Sequence, residues 1–313
     1  MTLALDDKWI WDFWMVADNL DQFHVFYLQA PKCLGDPDLR HWNVSIGHAV
    51  STDLTNWSIK PDVMAPSAKP AWDDKSTWTG SVIQHEGRWY MFYTGTSHVE
   101  DGLVQRVGMA WSDDLENWEK HLEPLIEADS QWYERLGDMW FDEAWRDPWV
   151  FRGDDGYFHA MITARCNSGE KLDRGCVGHA RSADLFNWEV LPPLTTPGGF
   201  GQLEVPQVHE IDGRHFLIFC CDDHLMTPEQ RNISGGGTGT FYMSADHPLG
   251  PFAVAKSQPL EVDMAGSAYA GRMIDCDGVQ YLSWLRNGPG GTFLGELSNP
   301  RKVLHTGEGI ELS

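Results

Sequence analysis

The sequence predicts an all-β fold, a five-bladed β-propeller with four antiparallel strands in each blade. Three observations predict it: a repeated segment, a strand-length run ahead of each copy, and a turn that leads to a further strand. The repeat reads IGHAVSTDLTNW at 46–57, VGMAWSDDLENW at 107–118 and VGHARSADLFNW at 177–188, with weaker copies at 241–252 and 293–303. Regular repetition of units with several short strands is typical of propellers.

Each unit contains its strand signals in the order that a blade requires. The run ahead of each copy is rich in aromatic and β-branched residues, which favour strands. The G-x-A-x-S part of the repeat alternates with period two and indicates another strand, and D-L-x-x-W indicates a turn into an outer strand. Five such units fill the 313 residues, so we expect one domain over 1–313. A β-sandwich, or several small β domains, would not explain the repeat.

The segments that open the first strand of each unit carry the candidate chemistry. In a propeller these strands line a central channel, and their starts face one opening. The starts read W-D-F at 11–13, T-G-S at 79–81, R-D-P at 146–148, E-V-P at 204–206 and Y-A-G at 269–271. Three contain a carboxylate at what we take to be equivalent positions: Asp12, Asp147 and Glu204. Burying three carboxylates together is costly unless they are used, so we expect a catalytic centre there.

Three clustered carboxyl groups suit the cleavage of a glycosidic bond. One must donate a proton to the leaving oxygen, and a second must attack the anomeric carbon or activate water. A third can hold sugar hydroxyls. The two ionised aspartates make Glu204 the natural proton donor, and Arg146 beside Asp147 is expected to keep that aspartate ionised. Trp11 and Trp78 are candidate platforms for the apolar face of a sugar.

At these motifs the chain resembles the β-fructofuranosidase superfamily, glycoside hydrolase families 32 and 68. WDFW at 11–14 resembles the nucleophile segment of the levansucrase type, and WRDP at 145–148 resembles the transition-state stabiliser of both families. EVP at 204–206 resembles the segment that holds the acid/base. WTGS at 78–81 resembles a segment whose serine contacts sugar, here Ser81, and Tyr269 is similar in placement to a substrate-binding tyrosine.

The resemblance implies a retaining hydrolase, or a transglycosylase, of β-fructofuranosides such as sucrose or short fructo-oligosaccharides. Asp12 would attack the fructosyl unit while Glu204 protonates the leaving oxygen, and Asp147 would hold ring hydroxyls. Retention predicts that Asp12 and Glu204 lie roughly 5–5.5 Å apart. Neither a metal nor a cofactor is expected. The residues implied in substrate binding are Trp11, Trp78, Ser81, Arg146 and Tyr269.

Two other functions remain open. An inverting furanosidase of the arabinanase or xylosidase type would share the fold and the three carboxylates. Its acid and base would lie roughly 6.5–9.5 Å apart, and it would act on arabinofuranosides but not on sucrose. A non-catalytic sugar-binding propeller would bind sugar without turnover, but intact Asp12, Asp147 and Glu204 favour an enzyme.

Charge and the amino-terminal sequence set expectations for partners and location. Asp and Glu outnumber Lys and Arg by 46 to 23, for a net charge of −23. Such a surface repels nucleic acid and anionic lipid, so we expect a small-molecule or oligosaccharide substrate and neither nucleic-acid nor membrane partners. The start MTLALDDKWIWDFW lacks the features of a signal peptide. We therefore expect a cytoplasmic protein, or a secreted one if a leader has been removed. The oligomeric state is unknown.

Overall fold

The computed structural model describes residues 2–20, 22–307 and 309–313. These residues form five antiparallel sheets. The first strand of each sheet contacts the first strands of the sheets on either side, and the fifth returns to the first. Because these contacts close a ring, the five-bladed β-propeller predicted from the repeat is confirmed.

Blades one to four each contain four strands that pair in the order in which they follow along the chain. A short strand, β1 (Leu3–Ala4), comes before them and belongs to blade five. Blade one consists of β2 (Lys8–Ala17), β3 (Phe23–Pro31), β4 (Ser45–Ser51) and β5 (Ser58–Met64). Blade two consists of β6 (Ser76–His85), β7 (Arg88–Thr96), β8 (Arg106–Ser112) and β9 (Glu119–Lys120). Blade three consists of β10 (Trp145–Arg152), β11 (Phe158–Arg165), β12 (Gly175–Ser182) and β13 (Trp188–Leu191). Blade four consists of β14 (Glu204–Ile211), β15 (Arg214–Cys221), β16 (Thr238–Ala245) and β17 (Gln258–Asp263).

Blade five differs from the four-strand pattern because its third and outer positions are each filled by two short strands. Its strands are β18 (Ala268–Cys276), β19 (Val279–Asn287), β20 (Phe293–Leu297), β21 (Arg301–Thr306) and β22 (Gly309–Leu312). Both β20 and β21 pair with β19, while β1 pairs with β20 and β22 pairs with β21. Pro300 lies between β20 and β21, and proline has no N–H to give to a ladder. Since β1 comes from the start of the chain, this sheet joins the first and last segments of the ring.

The repeated D-L-x-N-W sequence is explained by one turn that occurs in three blades. In blade one, Oδ1 of Asp53 accepts hydrogen bonds from the backbone N–H of Thr55 at 2.8 Å and of Asn56 at 2.7 Å. The leucine after the aspartate adopts a left-handed conformation, with φ of 59° at Leu54. The same arrangement occurs at Asp114 and Asp184. These repeated residues are therefore structural.

A separate apolar cluster fills the space between each pair of neighbouring blades. Each cluster combines buried side chains from both blades, so the core is divided among five interfaces. Representative pairs are Trp14 with Tyr93, Phe92 with Trp145, Met161 with Phe219, Phe216 with Leu282, and Phe13 with Leu297.

Helices are short and lie in the connections between strands. The described residues contain one α-helix, α1 (Pro228–Ser234), whose first turn is capped by Thr227. A 3₁₀ helix over Pro37–Trp42 reaches the opening described below, and the other 3₁₀ turns are Lys32–Leu34, Lys171–Asp173, Asp223–Leu225, Val254–Lys256 and Pro289–Gly291. In the described part of the chain, no helix is both long enough and apolar enough to cross a membrane.

Candidate active site

Every first strand is interrupted by a β-bulge close to its start. The strand register shifts between Trp11 and Phe13, Trp78 and Gly80, Arg146 and Trp149, Glu204 and Gln207, and Tyr269 and Arg272. A bulge bends the strand and re-aims the side chain at that point. In blades three to five the bulge residue has a positive φ, of 57° at Asp147, 48° at Val205 and 51° at Ala270.

The bulges arrange the strand starts as two layers with one residue per blade. The pre-bulge layer consists of Trp11, Trp78, Arg146, Glu204 and Tyr269, and the bulge layer consists of Asp12, Thr79, Asp147, Val205 and Ala270. Asp12 and Asp147 are therefore equivalent, as predicted. Glu204 is not, because it lies one position earlier, in the layer that contains Arg146 and Tyr269. The difference arises because the bulge that follows Glu204 begins at Val205.

Both layers face one cavity of about 470 Å³. Its lining includes Asp12, Asp147 and Glu204, so the three predicted catalytic carboxylates share one chamber. The predicted substrate-binding residues Trp11, Trp78, Arg146 and Tyr269 line it as well. Exposed aromatic rings lie at the cavity, where Phe141 is 74% and Trp42 42% exposed.

Asp12 is half-buried and is held by the neighbouring blade. Oγ1 of Thr79 donates a hydrogen bond to Oδ2 of Asp12 at 2.8 Å. Burial, with a further contribution from the charge of Asp147, raises the pKa of Asp12 to about 6. The carboxylate is therefore ionised near neutral pH but close to its titration range.

Asp147 is almost fully buried and bridges blades three and four. Its Oδ2 accepts hydrogen bonds from Oγ1 of Thr163 at 2.8 Å and from the backbone N–H of Val205 at 3.3 Å. Nε of Arg146 lies 3.5 Å from the same oxygen. Burial raises the pKa of Asp147, although the Arg146 charge lowers it. Burial has the larger effect on the pKa of Asp147, while Arg146 acts in the direction that we expected, towards the ionised form.

Glu204 is more accessible than Asp147, with 22% of its side chain exposed against 5%. Its two oxygens are held by different blades. Nη2 of Arg146 donates a hydrogen bond to Oε1, and the hydroxyl of Tyr269 donates one to Oε2. Arg146 also donates to Gln105 and Gln202. The carboxyl group is thus fixed between a cation and a phenol at the cavity wall.

The two predicted tryptophans are wall residues. Trp11 is only 2% exposed, and the guanidinium of Arg40 lies 5.7 Å from its ring centroid. Nε1 of Trp78 donates to the backbone carbonyl of His41 at 2.9 Å, which ties the wall to the 3₁₀ helix. Each ring therefore has a fixed position.

Ser81 is the predicted substrate residue that the structure does not bring to the cavity. It is 1% exposed, and its hydroxyl accepts a hydrogen bond from the backbone N–H of Val150 at 3.0 Å. Ser81 lies two positions beyond the bulge residue Thr79, deeper along β6. Its observed role is to join blades two and three.

Several cavity residues were missed from the sequence. Thr79 could have been found by aligning T-G-S with W-D-F one position differently, since it occupies the bulge layer beside Asp12. Arg40, Gln202 and Asp222 come from the connections between strands, where the blade repeat gives no positional signal. In the described residues, no group of three or more His, Cys, Asp or Glu side chains is arranged to hold a metal ion.

The family model for the glycosyl hydrolases family 32 N-terminal domain matches residues 6–289. The chain belongs to glycosyl hydrolase family 32. The motifs alone had left families 32 and 68 both open. Placing this chain in family 32 agrees with a cavity that contains Asp12, Asp147 and Glu204 together.

Relatives of this family 32 chain include enzymes that act on sucrose. It is 27% identical over 265 residues to an extracellular sucrase of Zymomonas mobilis, and the aligned region covers 70% of this chain and 62% of the relative. It is 29% identical over 206 residues to a sucrose-6-phosphate hydrolase of Bacillus subtilis, and that aligned region covers 63% of this chain and 38% of the relative. The matched region thus spans less than two thirds of these curated relatives.

The same fold occurs in a solved structure of an inulosucrase from Halalkalicoccus jeotgali bound to kestose. The TM-score is 0.81 at 22% identity, over 98% of this chain and 87% of that one. This likeness supports the fold.

The prediction of a cytoplasmic location is contradicted by the comparison, because the Zymomonas relative is an extracellular sucrase. The amino-terminal sequence on which that prediction was based was too weak an indicator.

Proposed function

We propose that this family 32 chain hydrolyses β-fructofuranosides such as sucrose or short fructo-oligosaccharides with retention of configuration, with transfer to a second sugar as a side reaction. One observation carries the proposal: the half-buried Asp12, the buried Asp147 and the doubly held Glu204 line the same cavity. Its relatives are a sucrase and a sucrose-6-phosphate hydrolase, which supports the substrate class. We also propose that residues 1–313 act as one catalytic domain, with blade five joining both ends.

In the proposed mechanism, Asp12 attacks the anomeric carbon of the fructosyl unit. The proton for the leaving oxygen comes from Glu204, which lines the same cavity and is held at both oxygens. The covalent fructosyl–enzyme then reacts with water, and Glu204 takes the proton from that water. The covalent intermediate thereby replaces one difficult displacement with two easier displacements at the same anomeric carbon.

The remaining groups position the substrate and the catalytic carboxylates. Asp147 is buried and accepts bonds from Thr163 and Val205, so it is fixed for hydrogen bonding to ring hydroxyls. Arg146 and Tyr269 hold the two oxygens of Glu204. The rings of Trp11 and Trp78 provide flat apolar walls for the sugar. The cavity's acidic lining and the net charge of −23 favour a neutral substrate.

The test is a product screen on sucrose, short fructans and aryl arabinofuranosides. We expect fructose from sucrose and from the short fructans. NMR recorded early in the reaction should show the β anomer of the released fructofuranose, because the mechanism retains configuration. Asp12→Asn and Glu204→Gln should each reduce kcat by at least about 10³-fold. Asp113→Asn, at a side chain that is 77% exposed, is the matched control and should retain activity.

The screen also separates the competing functions. Turnover of arabinofuranosides with inversion, and none of sucrose, would identify an inverting furanosidase instead. Sugar binding without turnover of any substrate would identify a binding module. Near-normal turnover by Asp12→Asn or Glu204→Gln would contradict the assigned roles.

A further inference from the structure

Side chains near the inner strands join each blade to the next. Besides the Arg146–Glu204 ion pair, one such bond can be named at each of the five interfaces, and four of these five have a neutral donor while one has a cation. They are Thr79 to Asp12, Val150 N–H to Ser81, Val205 N–H to Thr163, Gln207 to the carbonyl of Gly271, and Arg272 to the carbonyl of Phe13. Arg272 makes the bond between blades five and one, where the ring closes.

Arg272 follows the bulge of blade five and is 1% exposed. Its Nε donates to the backbone carbonyl of Phe13 at 3.0 Å. Among the described residues, neither Nη1 nor Nη2 has a hydrogen-bond partner. A buried guanidinium with two uncommitted nitrogens is costly unless nearby negative charge compensates it. A bond to one carbonyl could be made by a neutral side chain, so the bond alone does not explain why a cation is here.

The compensating charges are the two aspartates of the bulge layer. The groups that interact electrostatically with Arg272 are Asp147 and Asp12, which attract it, together with Cys220 and His209. Burial lowers the pKa of His209 to about 3, so this histidine is neutral. Burial also raises the pKa of Cys220, so the thiol is uncharged. Burial lowers the pKa of Arg272 and the two aspartates oppose that effect, so the charges that favour the cation both belong to carboxylates of the site.

The other groups around the aspartates do not perform the same task. Asp12 also faces Asp147, Glu204 and Arg40, and Asp147 also faces Arg146 and Glu204. Arg146 is committed to Glu204, Gln202 and Gln105 through its hydrogen bonds. Arg272 is the cation whose charge acts on both aspartates and which makes no bond to a carboxylate.

We propose that Arg272 is a positioning residue that acts through Asp12 and Asp147, supplying the buried positive charge that keeps them ionised while tying blade five to blade one. The inference rests on the proposed function for the role of Asp12. It differs from a purely structural role because the charge, rather than the hydrogen bond, is what the site requires.

The experiment compares Arg272→Gln with Arg272→Lys. Glutamine removes the charge but keeps a donor for the Phe13 carbonyl, whereas lysine keeps the charge. The control is Gln207→Leu, which breaks the neighbouring blade contact without changing any charge. Two readouts are made on each protein: the acid limb of kcat/KM for sucrose, and the carboxyl titration in protein carrying ¹³C-labelled aspartate, with the Asp12 signal assigned by its loss in Asp12→Asn.

We expect Arg272→Gln to move the Asp12 titration and the acid limb upward by up to about one pH unit, with Arg272→Lys restoring most of the shift. Gln207→Leu should lower stability and leave both midpoints in place. Unmoved midpoints in Arg272→Gln, or an equal movement in Gln207→Leu, would overturn the proposal.

If Arg272→Gln does not fold, the double variant Asp147→Asn/Arg272→Gln decides the question. Removing the opposite charge should restore folded protein, because the unpaired buried carboxylate is then gone. Failure to restore it overturns the proposal. If the wild-type protein cleaves no fructofuranoside, the proposed function fails, but the carboxyl titration still tests Arg272.

Discussion

Two buried histidine pairs occupy matching positions in blades one and three. Nδ1 of His24 lies 2.9 Å from Nε2 of His48, and Nδ1 of His159 lies the same 2.9 Å from Nε2 of His179. Both pairs are stacked, with ring centroids 5.1 Å and 5.2 Å apart. Burial, with the neighbouring histidine adding to it, lowers the pKa of His48 and of His179 from 6.5 to about 4.

These shifts make the propeller sensitive to mild acid. A histidine whose pKa is lowered by folding binds its proton more weakly in the folded state, so the unfolded state gains protons first as the pH falls below 6.5. The free energy of unfolding then decreases until the pH passes the folded pKa. From neutrality to about pH 5, the loss is about 2 kcal/mol for each of His48 and His179.

Blade two shows which substitution to use. Its residue equivalent to His48 and His179 is Met109, which is 0% exposed. We expect His48→Met and His179→Met each to reduce the loss of unfolding free energy between about pH 7.5 and about pH 5 by about 2 kcal/mol. Urea unfolding at the two pH values measures this difference. A double variant whose stability falls with pH as steeply as that of the wild type would refute the reasoning.

Two further predictions concern the site. Because the pKa of Asp12 is about 6, kcat/KM should fall as the pH drops through about 6. Thr79→Val should move this acid limb to higher pH, because it removes the hydrogen bond that favours the charged carboxylate. A pH–rate profile measures both effects, and an unchanged acid limb in Thr79→Val would contradict the assignment. Ser81→Ala should lower the free energy of unfolding by about 1–3 kcal/mol, because the Val150 N–H loses its acceptor, with KM for sucrose unchanged; a raised KM at unchanged stability would restore the sugar contact first expected of Ser81.

The fold could be predicted because the information is repeated along the chain. The turn around Asp53, Asp114 and Asp184 uses the same residue types each time, so the unit is visible without any knowledge of long-range contacts. Blade five was harder to predict. Its third strand is split near Pro300, and part of its outer strand is β1, from the other end of the chain. That pairing depends on ring closure, which local sequence does not show.

The sequence indicated which carboxylates line the cavity, but not the position that each one takes relative to the bulge of its strand. Tripeptides at strand starts identified Asp12, Asp147 and Glu204, yet the bulge shifts Glu204 into the layer of Arg146. The bulge contains one residue at Asp12 and two after Glu204, a difference that the tripeptides do not show. Ser81 lies beyond its bulge and bonds the neighbouring blade, and Arg272 follows the bulge of blade five. Sequence reasoning missed Thr79 because its register was misjudged, and it missed Arg40, Gln202 and Asp222 because the repeat does not describe the connections.

The titrating groups of the site and of the fold act on stability with opposite signs. A raised aspartate pKa means that the folded state holds the proton more tightly, so ionising Asp12 and Asp147 costs stability as the pH rises. The lowered pKa values of His48 and His179 cost stability as the pH falls. Above about pH 6 the proposed nucleophile Asp12 is ionised and the two histidines are neutral. The pH range in which the site can work is therefore the range in which the histidine pairs no longer oppose folding. As the pH rises, the unfolding free energy regained from the histidines offsets the unfolding free energy lost by ionising the aspartates.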